Sequence, residues 1–254
     1  MRNYILLLLK MVRVLLTRPK EDAEKDREIF HRYGFDVILL PLLEFEALPF
    51  SPPRWEKYHY IYFGSKRGVN FFLQRVKGIP PHLKVLAVGK KTAQELKRWG
   101  IKPFLVLKGS VTHLVELAKE GKLERGNILV PTAEVYTKDI HLLEKLGFGV
   151  DILPVYRTLY VKYPPEEVEE KLKLSDAVVF TSPSTFKALL ENLQNRMEPL
   201  REKIIVAIGK TTARAIEQAG LKVNFIPSQP DTEVLAGELA EALRWKKRGG
   251  KALP

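Results

Sequence analysis

The sequence predicts an α/β protein made of two doubly wound parallel-sheet domains that arose by internal duplication. Three observations carry this. Short apolar runs alternate with amphipathic stretches of ten to fifteen residues, the pattern of parallel strands crossed over by helices. Segments recur in the same order: YIYFGSKRGVNFFL (Tyr60–Leu73) matches AVVFTSPSTFKALL (Ala177–Leu190), and VLAVGKKTAQELKRWGIK (Val85–Lys102) matches IVAIGKTTARAIEQAGLK (Ile205–Lys222). A chain of 254 residues, 45% apolar, suits two domains of ordinary size with a sizeable core.

Taken in order, VRVLLT is a strand, Pro19 opens a helix that stops at Gly34, and DVILLP is the next strand. HYIYFGS is a strand and KRGVNFFLQRV a helix. KVLAVG leads into KTAQELKRWG with its terminal glycine, and PFLVL is a strand again. The N-terminal strand–helix–strand returns from Ile128, weaker in its helix, with GF-x-V-x-x-LP at Gly34–Pro41 and again at Gly147–Pro154. The repeat separations are about 113, 117 and 120 residues (Gly34 to Gly147, Tyr60 to Ala177, Val85 to Ile205). KYPPEEVEEKLKL, Lys162–Leu174, reads as a linker and a short helix, its two prolines marking a boundary. Phe71 and Phe72 fall at helical core positions; Trp55, Trp99 and Trp245 border charged segments, where they cover helix ends.

AIGKTTARAIEQAG, Ala207–Gly220, imitates the end of a phosphate-binding loop. A P-loop needs a glycine five residues before Gly209, so that successive N–H groups turn toward phosphate. Ile204 stands there, inside a strand-like run. A nucleotide-dependent enzyme is therefore disfavoured. The chain has no cysteine, which removes disulfides, thiolate catalysis and Cys-ligated zinc. His31, His59, His82, His113 and His141 are scattered without metal-ligand spacing, so no metal site is expected.

The net charge of +12 asks for an anionic partner, although part of it lies in the tail RWKKRGGKALP and part beside carboxylates on solvated helix faces. No nucleic-acid-binding signature is present, and nucleic acid is not expected as the partner. The N-terminal run Tyr4–Leu9 is too short to span a bilayer and lacks a cleavage site; Met11 is an alternative start. A cytoplasmic protein without membrane attachment is expected.

In doubly wound sheets, ligands sit beyond the carboxyl ends of the strands, where loops become helix N-termini. Five such loops stand out: Thr17-Arg18-Pro19, Gly64-Ser65-Lys66-Arg67, Gly89-Lys90-Lys91-Thr92, Thr181-Ser182-Pro183-Ser184 and Gly209-Lys210-Thr211-Thr212. Their hydroxyls and N–H groups suit carboxylates as well as phosphates, and Arg18, Lys66, Arg67, Lys90 and Lys210 add charge. Ser65, Ser182, Thr92 and Thr212 also have a plainer reading as helix N-caps.

LLTRP, the F-x-S loops FGS and FTSPS, PVYRT, and AIGKTTARAIEQAG followed by PSQPDTEVLAGELAEAL together resemble the uroporphyrinogen-III synthase family, from Val12 to about Leu243. The resemblance implies two flavodoxin-like domains joined by two antiparallel strands: residues 1–40 with 160–254, residues 46–153, and connecting strands 41–48 and 154–161. A plain tandem split near residue 125 is the other arrangement the sequence allows. It implies cofactor-free cyclisation of hydroxymethylbilane, an octacarboxylate, with loss of water and inversion of ring D. The bilane would lie in the inter-domain cleft and be passed on by hydroxymethylbilane synthase to a monomeric enzyme.

The resemblance further places the acid at Tyr156 of PVYRT, with a β-ladder aromatic that only packs as the alternative. Substrate contacts would come from Thr17, Arg18, Ser65, Lys66, Arg67, Gly89, Thr92, Ser182, Pro183, Ser184, Gly209, Lys210, Thr211 and Thr212. Two departures stand against it. Pro131-Thr132-Ala133-Glu134 replaces a loop that in the family carries glycine and arginine, leaving Lys138 as the nearest cation, and Gly64 stands where threonine is usual. A non-catalytic two-lobed binding protein for a polycarboxylate is the alternative function.

Overall fold

A computed structural model describes residues 11–247, with side chains through Arg244; the Tyr4–Leu9 run, the end of the tail and the Trp245 side chain lie outside the described residues. Along the chain come β1 (Arg13–Leu16), α1 (Lys20–Arg32), β2 (Asp36–Leu39), β3 (Leu43–Ala47), β4 (Tyr60–Phe63), α2 (Lys66–Val76) and β5 (Lys84–Val88). Next are α3 (Gly89–Arg98), β6 (Leu105–Leu107), α4 (Val111–Lys119), β7 (Asn127–Ala133) and β8 (Gly149–Tyr160). The last part holds α5 (Pro165–Leu174), β9 (Ala177–Phe180), α6 (Pro183–Asn192), a short α7 (Glu198–Arg201), β10 (Ile204–Ala207), α8 (Lys210–Gln218) and α9 (Thr232–Lys247). This is an α/β fold with parallel sheets. No helix among the described residues is long and apolar enough to cross a membrane.

The chain divides into two compact units, one taking the chain up to Glu44 and from Leu159 onward, the other Phe45–Thr158. The first unit carries a four-stranded parallel sheet in the order β10-β9-β1-β2. β1 is central, with Val14 opposite Val37 on one side and Ala177 on the other. Its core gathers Val14, Leu16, Phe30, Val179, Val206, Leu235 and Leu239, so α1 and α9 close one face.

The second unit carries the order β3-β8-β7-β4-β5-β6, parallel from β8 to β6. Its strands are buried on both faces, as parallel strands require. Ile61, Phe63, Val85, Ala87 and Leu129 point into one core. Tyr60, Tyr62, Leu86, Ile128 and Val130 point into the other, a strict period of two. The chain crosses between the units inside β3 and returns inside β8. The Leu48 N–H bonds the Val155 carbonyl and the Val161 N–H the Leu42 carbonyl, so these two strands run antiparallel.

Gly68 lets α2 approach β7 closely: a Cβ there would lie 3.0 Å from the Pro131 carbonyl oxygen. The weakly patterned helix expected after β7 becomes a 3-10 helix over Lys138–Leu146, whose start at Thr137 has no side-chain cap. Phe72 is fully buried. Trp55 packs edge-on against it at 6.1 Å, and the Trp99 indole N–H donates to Asn70 at 2.9 Å.

Candidate active site

The carboxyl edge of the second unit's sheet opens into a cleft of about 370 Å³. Its walls come from the ends of β4 (Tyr62, Gly64, Ser65), β7 (Pro131, Thr132, Ala133) and β8 (Tyr156), from Gly109-Ser110 at the start of α4, and from Tyr136. Tyr156 is held there by aromatic packing. Phe71 of α2 stacks on it at 5.1 Å with planes 16° apart, and Phe45 of β3 meets it edge-on at 5.9 Å. The Arg67 guanidinium lies 3.9 Å above the Phe45 ring. Tyr156 is 8% exposed, and its hydroxyl bonds no protein group among the described residues. Packing thus accounts for the ring but not for the hydroxyl.

Ser65 and Ser182 cap helices. The Gly68 N–H donates to Ser65 Oγ at 3.1 Å, and the Thr185 N–H to Ser182 Oγ at 3.2 Å, with the Thr185 side chain returning the bond in a capping box. Pro183 takes the first helical position, where its missing N–H costs nothing. Ser184 exchanges a hydrogen bond with Ser182 at 2.8 Å.

Thr92 and Thr212 are not caps. They lie inside the first turns of α3 and α8, buried at 4% and 3%, while Val88 and Gly209 hold the cap positions without any side-chain bond. Neither opening is capped by the side chain at its cap position, and the helix dipole makes that end positive. Gly89 (φ +73°) turns the chain at α3, and Lys90, Lys210 and Thr211 are exposed beside these openings. Ile204 is paired in β10 with Ala177, so no P-loop forms before Gly209.

Two expected substrate contacts have protein partners of their own. Thr17 is fully buried, and its hydroxyl donates to the Val179 carbonyl at 2.7 Å, tying β1 to β9. Arg18 is committed to two carboxylates, Asp26 at 2.9 Å and Asp22 at 3.4 Å, both nearly buried on α1. Burial pushes the Asp26 carboxyl above its usual range against the pull of Arg18. Lys66 and Arg67 fall in the first turn of α2, as expected.

Sequence reasoning missed Tyr62, Ser110 and Tyr136 in the cleft wall. Ser110 caps α4 through the Thr112 N–H at 3.2 Å. Tyr136 shares a hydrogen bond with His141 Nε2 at 3.0 Å, and His141 Nδ1 one with Glu144 at 3.0 Å. The available signal was positional: Tyr62 stands two residues before a loop already singled out, and Ser110 stands before an apolar helix.

A family model described as "Uroporphyrinogen-III synthase HemD" matches residues 24–237. The uroporphyrinogen-III synthase of Chlorobaculum parvum is 29% identical, over 92% of this chain and all of that protein. Among solved structures, the uroporphyrinogen-III synthetase of Helicobacter pylori superposes with a TM-score of 0.65 at 21% identity, over 92% of this chain and all of that one. A mutant uroporphyrinogen III synthase of Thermus thermophilus gives 0.63 at 23%, over 93% and 99% of the two chains. At these identities the structures speak for the fold. With a family model spanning most of its length, the chain belongs to the uroporphyrinogen-III synthase family of cyclising lyases in tetrapyrrole synthesis.

Proposed function

We propose that this chain closes hydroxymethylbilane to uroporphyrinogen III, with loss of water and inversion of ring D. The observation that carries the reading is Tyr156: a phenol nine-tenths buried between Phe71 and Phe45, whose unpartnered hydroxyl opens on a cleft at the carboxyl edge of the sheet. Tyr156 donates its phenolic proton, or a strong hydrogen bond, to the departing hydroxyl. The C–O bond breaks, water leaves, and the resulting cation is attacked by ring D through its substituted carbon to give a spiro intermediate. That intermediate reopens and recloses inverted, and the proton lost from the closing ring carbon balances the one spent on water.

Holding is the other half of the chemistry, because an unguided bilane closes without inversion. Carboxylates fall to the opening N–H groups of α3 and α8, with Gly89, Gly209 and Thr211 at the turns and Lys90 and Lys210 beside them. Ser65, Lys66 and Arg67 of the second unit, and Ser182, Pro183 and Ser184 of the first, frame further loops of the same kind. Thr92 and Thr212, in the first turns of the same helices, complete this set. Thr17 and Arg18 leave the substrate set.

We further infer an internal duplication in which each repeat supplies strands to both units. Sequence matching pairs β7 with β1, β8 with β2, β4 with β9 and β5 with β10. Under that pairing, the order β8-β7-β4-β5 reads the same as β2-β1-β9-β10. Domains of residues 1–40 with 160–254 and of 46–153, with 41–48 and 154–161 connecting, follow from that reading. We also propose a monomeric, cytoplasmic enzyme that receives the bilane from its synthase. The non-catalytic binding protein is disfavoured by a full-length relative named as the synthase.

The test generates hydroxymethylbilane in situ with its synthase, adds this protein, oxidises the products and separates uroporphyrins I and III. Isomer III in excess is expected. Isomer I alone, from a folded sample, overturns the reading.

A further inference from the structure

Tyr62 is a second phenol in the cleft of the second unit. It stands next to last in β4, on the face opposite to Phe63, packed with Val111, Val130 and Ile140, and is 7% exposed. Its hydroxyl bonds no protein group among the described residues, yet none of their fully enclosed side-chain polar atoms lacks a partner, so the oxygen faces the cleft. Burial of a hydroxyl without a partner costs stability, and folding gains nothing from it. Burial also pushes the phenol up to about 12, which keeps it a neutral donor across the working range.

Its neighbour keeps the hydroxyl uncovered. A Cβ at Gly64 would stand 3.5 Å from the Tyr62 ring and 3.9 Å from its oxygen, ordinary contact distances, so a larger side chain fits there but lies over the phenol. The matching loop of the other repeat has Val179 and Thr181 at these two positions.

The surroundings select the ligand. Two helices begin at this cleft, α2 behind Ser65 and α4 behind Gly109-Ser110, and both direct their positive ends toward it. Ser65 Oγ accepts from the Gly68 N–H and retains its own proton for a ligand. The Ser110 hydroxyl is spent on Thr112 Oγ1 at 2.9 Å. Asp139, exposed at the rim, is the charged residue of the lining, and Val88, Val111, Val130 and Ile140 make an aliphatic floor. Neutral donors above an aliphatic floor suit a carboxylate on a short methylene arm.

We propose that the Tyr62 hydroxyl is the donor of a carboxylate subsite in the second unit, which takes one acetate or propionate arm of the tetrapyrrole substrate. The subsite rests on the synthase reading above. Tyr62 binds and orients, while Tyr156 takes the proton-transfer role.

Tyr62→Phe removes one oxygen and no packing. Its melting temperature is expected to equal or exceed that of the wild type. The KM for hydroxymethylbilane, read as isomer III formed at rising bilane, is expected to increase about tenfold with kcat within about twofold, the mark of lost binding rather than lost chemistry. Gly64→Val, whose branch covers the phenol, is expected to raise KM in the same direction. An unchanged KM in either variant overturns the subsite. So does a fall in kcat alone, or a lowered melting temperature in Tyr62→Phe, which would give the hydroxyl a structural role. Wild-type protein that forms only isomer I overturns the synthase reading itself, a separate failure visible before any variant is made.

Discussion

The ring of Phe71 lies on that of Tyr156, centroids 5.1 Å apart and planes within 16°, so that the residue proposed as the acid is fixed by a neighbour without a polar atom of its own. Tyr156→Phe keeps this stack and removes only the oxygen. Its isomer III rate is expected to fall about a hundredfold, at the lower end of general-acid contributions, with the melting temperature unchanged. Phe71→Ala is expected to cost about 2 kcal/mol, less than a fully buried phenylalanine because its ring is half-buried, and to lower kcat as Tyr156 loosens. Rapid-quench isomer analysis beside thermal melts separates the two effects.

Arg18 is expected to matter for folding and not for binding. Arg18→Met leaves the Asp26 carboxylate enclosed without its cation, a loss of about 3–5 kcal/mol at neutral pH. The folded pKa of Asp26 is raised, desolvation outweighing Arg18, so its contribution to stability is fully present below about pH 3.8 and is lost as pH rises through the folded value. Without Arg18 that value rises further. The penalty of the variant should therefore shrink on moving from pH 7 to pH 4. Urea unfolding at both values measures this, and an equal loss at both pH values would refute the account.

Thr17 and Ser182 make a contrasting pair. Thr17→Val removes the bond to the Val179 carbonyl and should cost about 1–2 kcal/mol with kcat/KM per folded molecule unaltered. Ser182→Ala breaks the capping box, again for about 1 kcal/mol, and also removes a proposed substrate contact, so here KM should rise. Melting curves and isomer III kinetics on the same preparations check both.

The exposed lysines at the openings of α3 and α8 should contribute modestly. Exposed ion pairs are worth about 0.2–1 kcal/mol, so Lys90→Ala or Lys210→Ala should raise KM only about two- to fivefold. The dependence of KM on salt should flatten in each variant, since screening acts on the charge that was removed. A titration of KM against sodium chloride reads this.

Strands, helices and the loops at their carboxyl ends were legible in the sequence because each rests on local pattern: alternation in YIYF, stop glycines after helices, prolines at their starts. What eluded it depends on partners distant along the chain. Thr17 looked like a loop hydroxyl, and only the pairing with β9 shows its oxygen spent on Val179, 162 residues on. Arg18 carried a local clue, Asp22 and Asp26 spaced one and two helical turns away, but the depth of those carboxylates is set by packing. Thr92 and Thr212 looked like caps because each follows a glycine within a few residues; both helices begin sooner and place these residues inside the first turn. Tyr62 read as one more aromatic of a buried strand, since alternation assigns a face and not what the strand's end opens onto.

The central place of β1 between β2 and β9 bears on how the protein is born. On a ribosome adding about 5–20 residues per second, roughly 8–33 s separate the emergence of Val14 from that of Val179 in β9. The second unit, which is contiguous in the chain, has all its strands before β9 emerges and is free to form first. The opening strand–helix–strand must wait, one flank of β1 unpaired, for neighbours not yet translated. An apolar central strand held open for so long is where a nascent chain needs a chaperone's cover, and where slow translation would be most damaging.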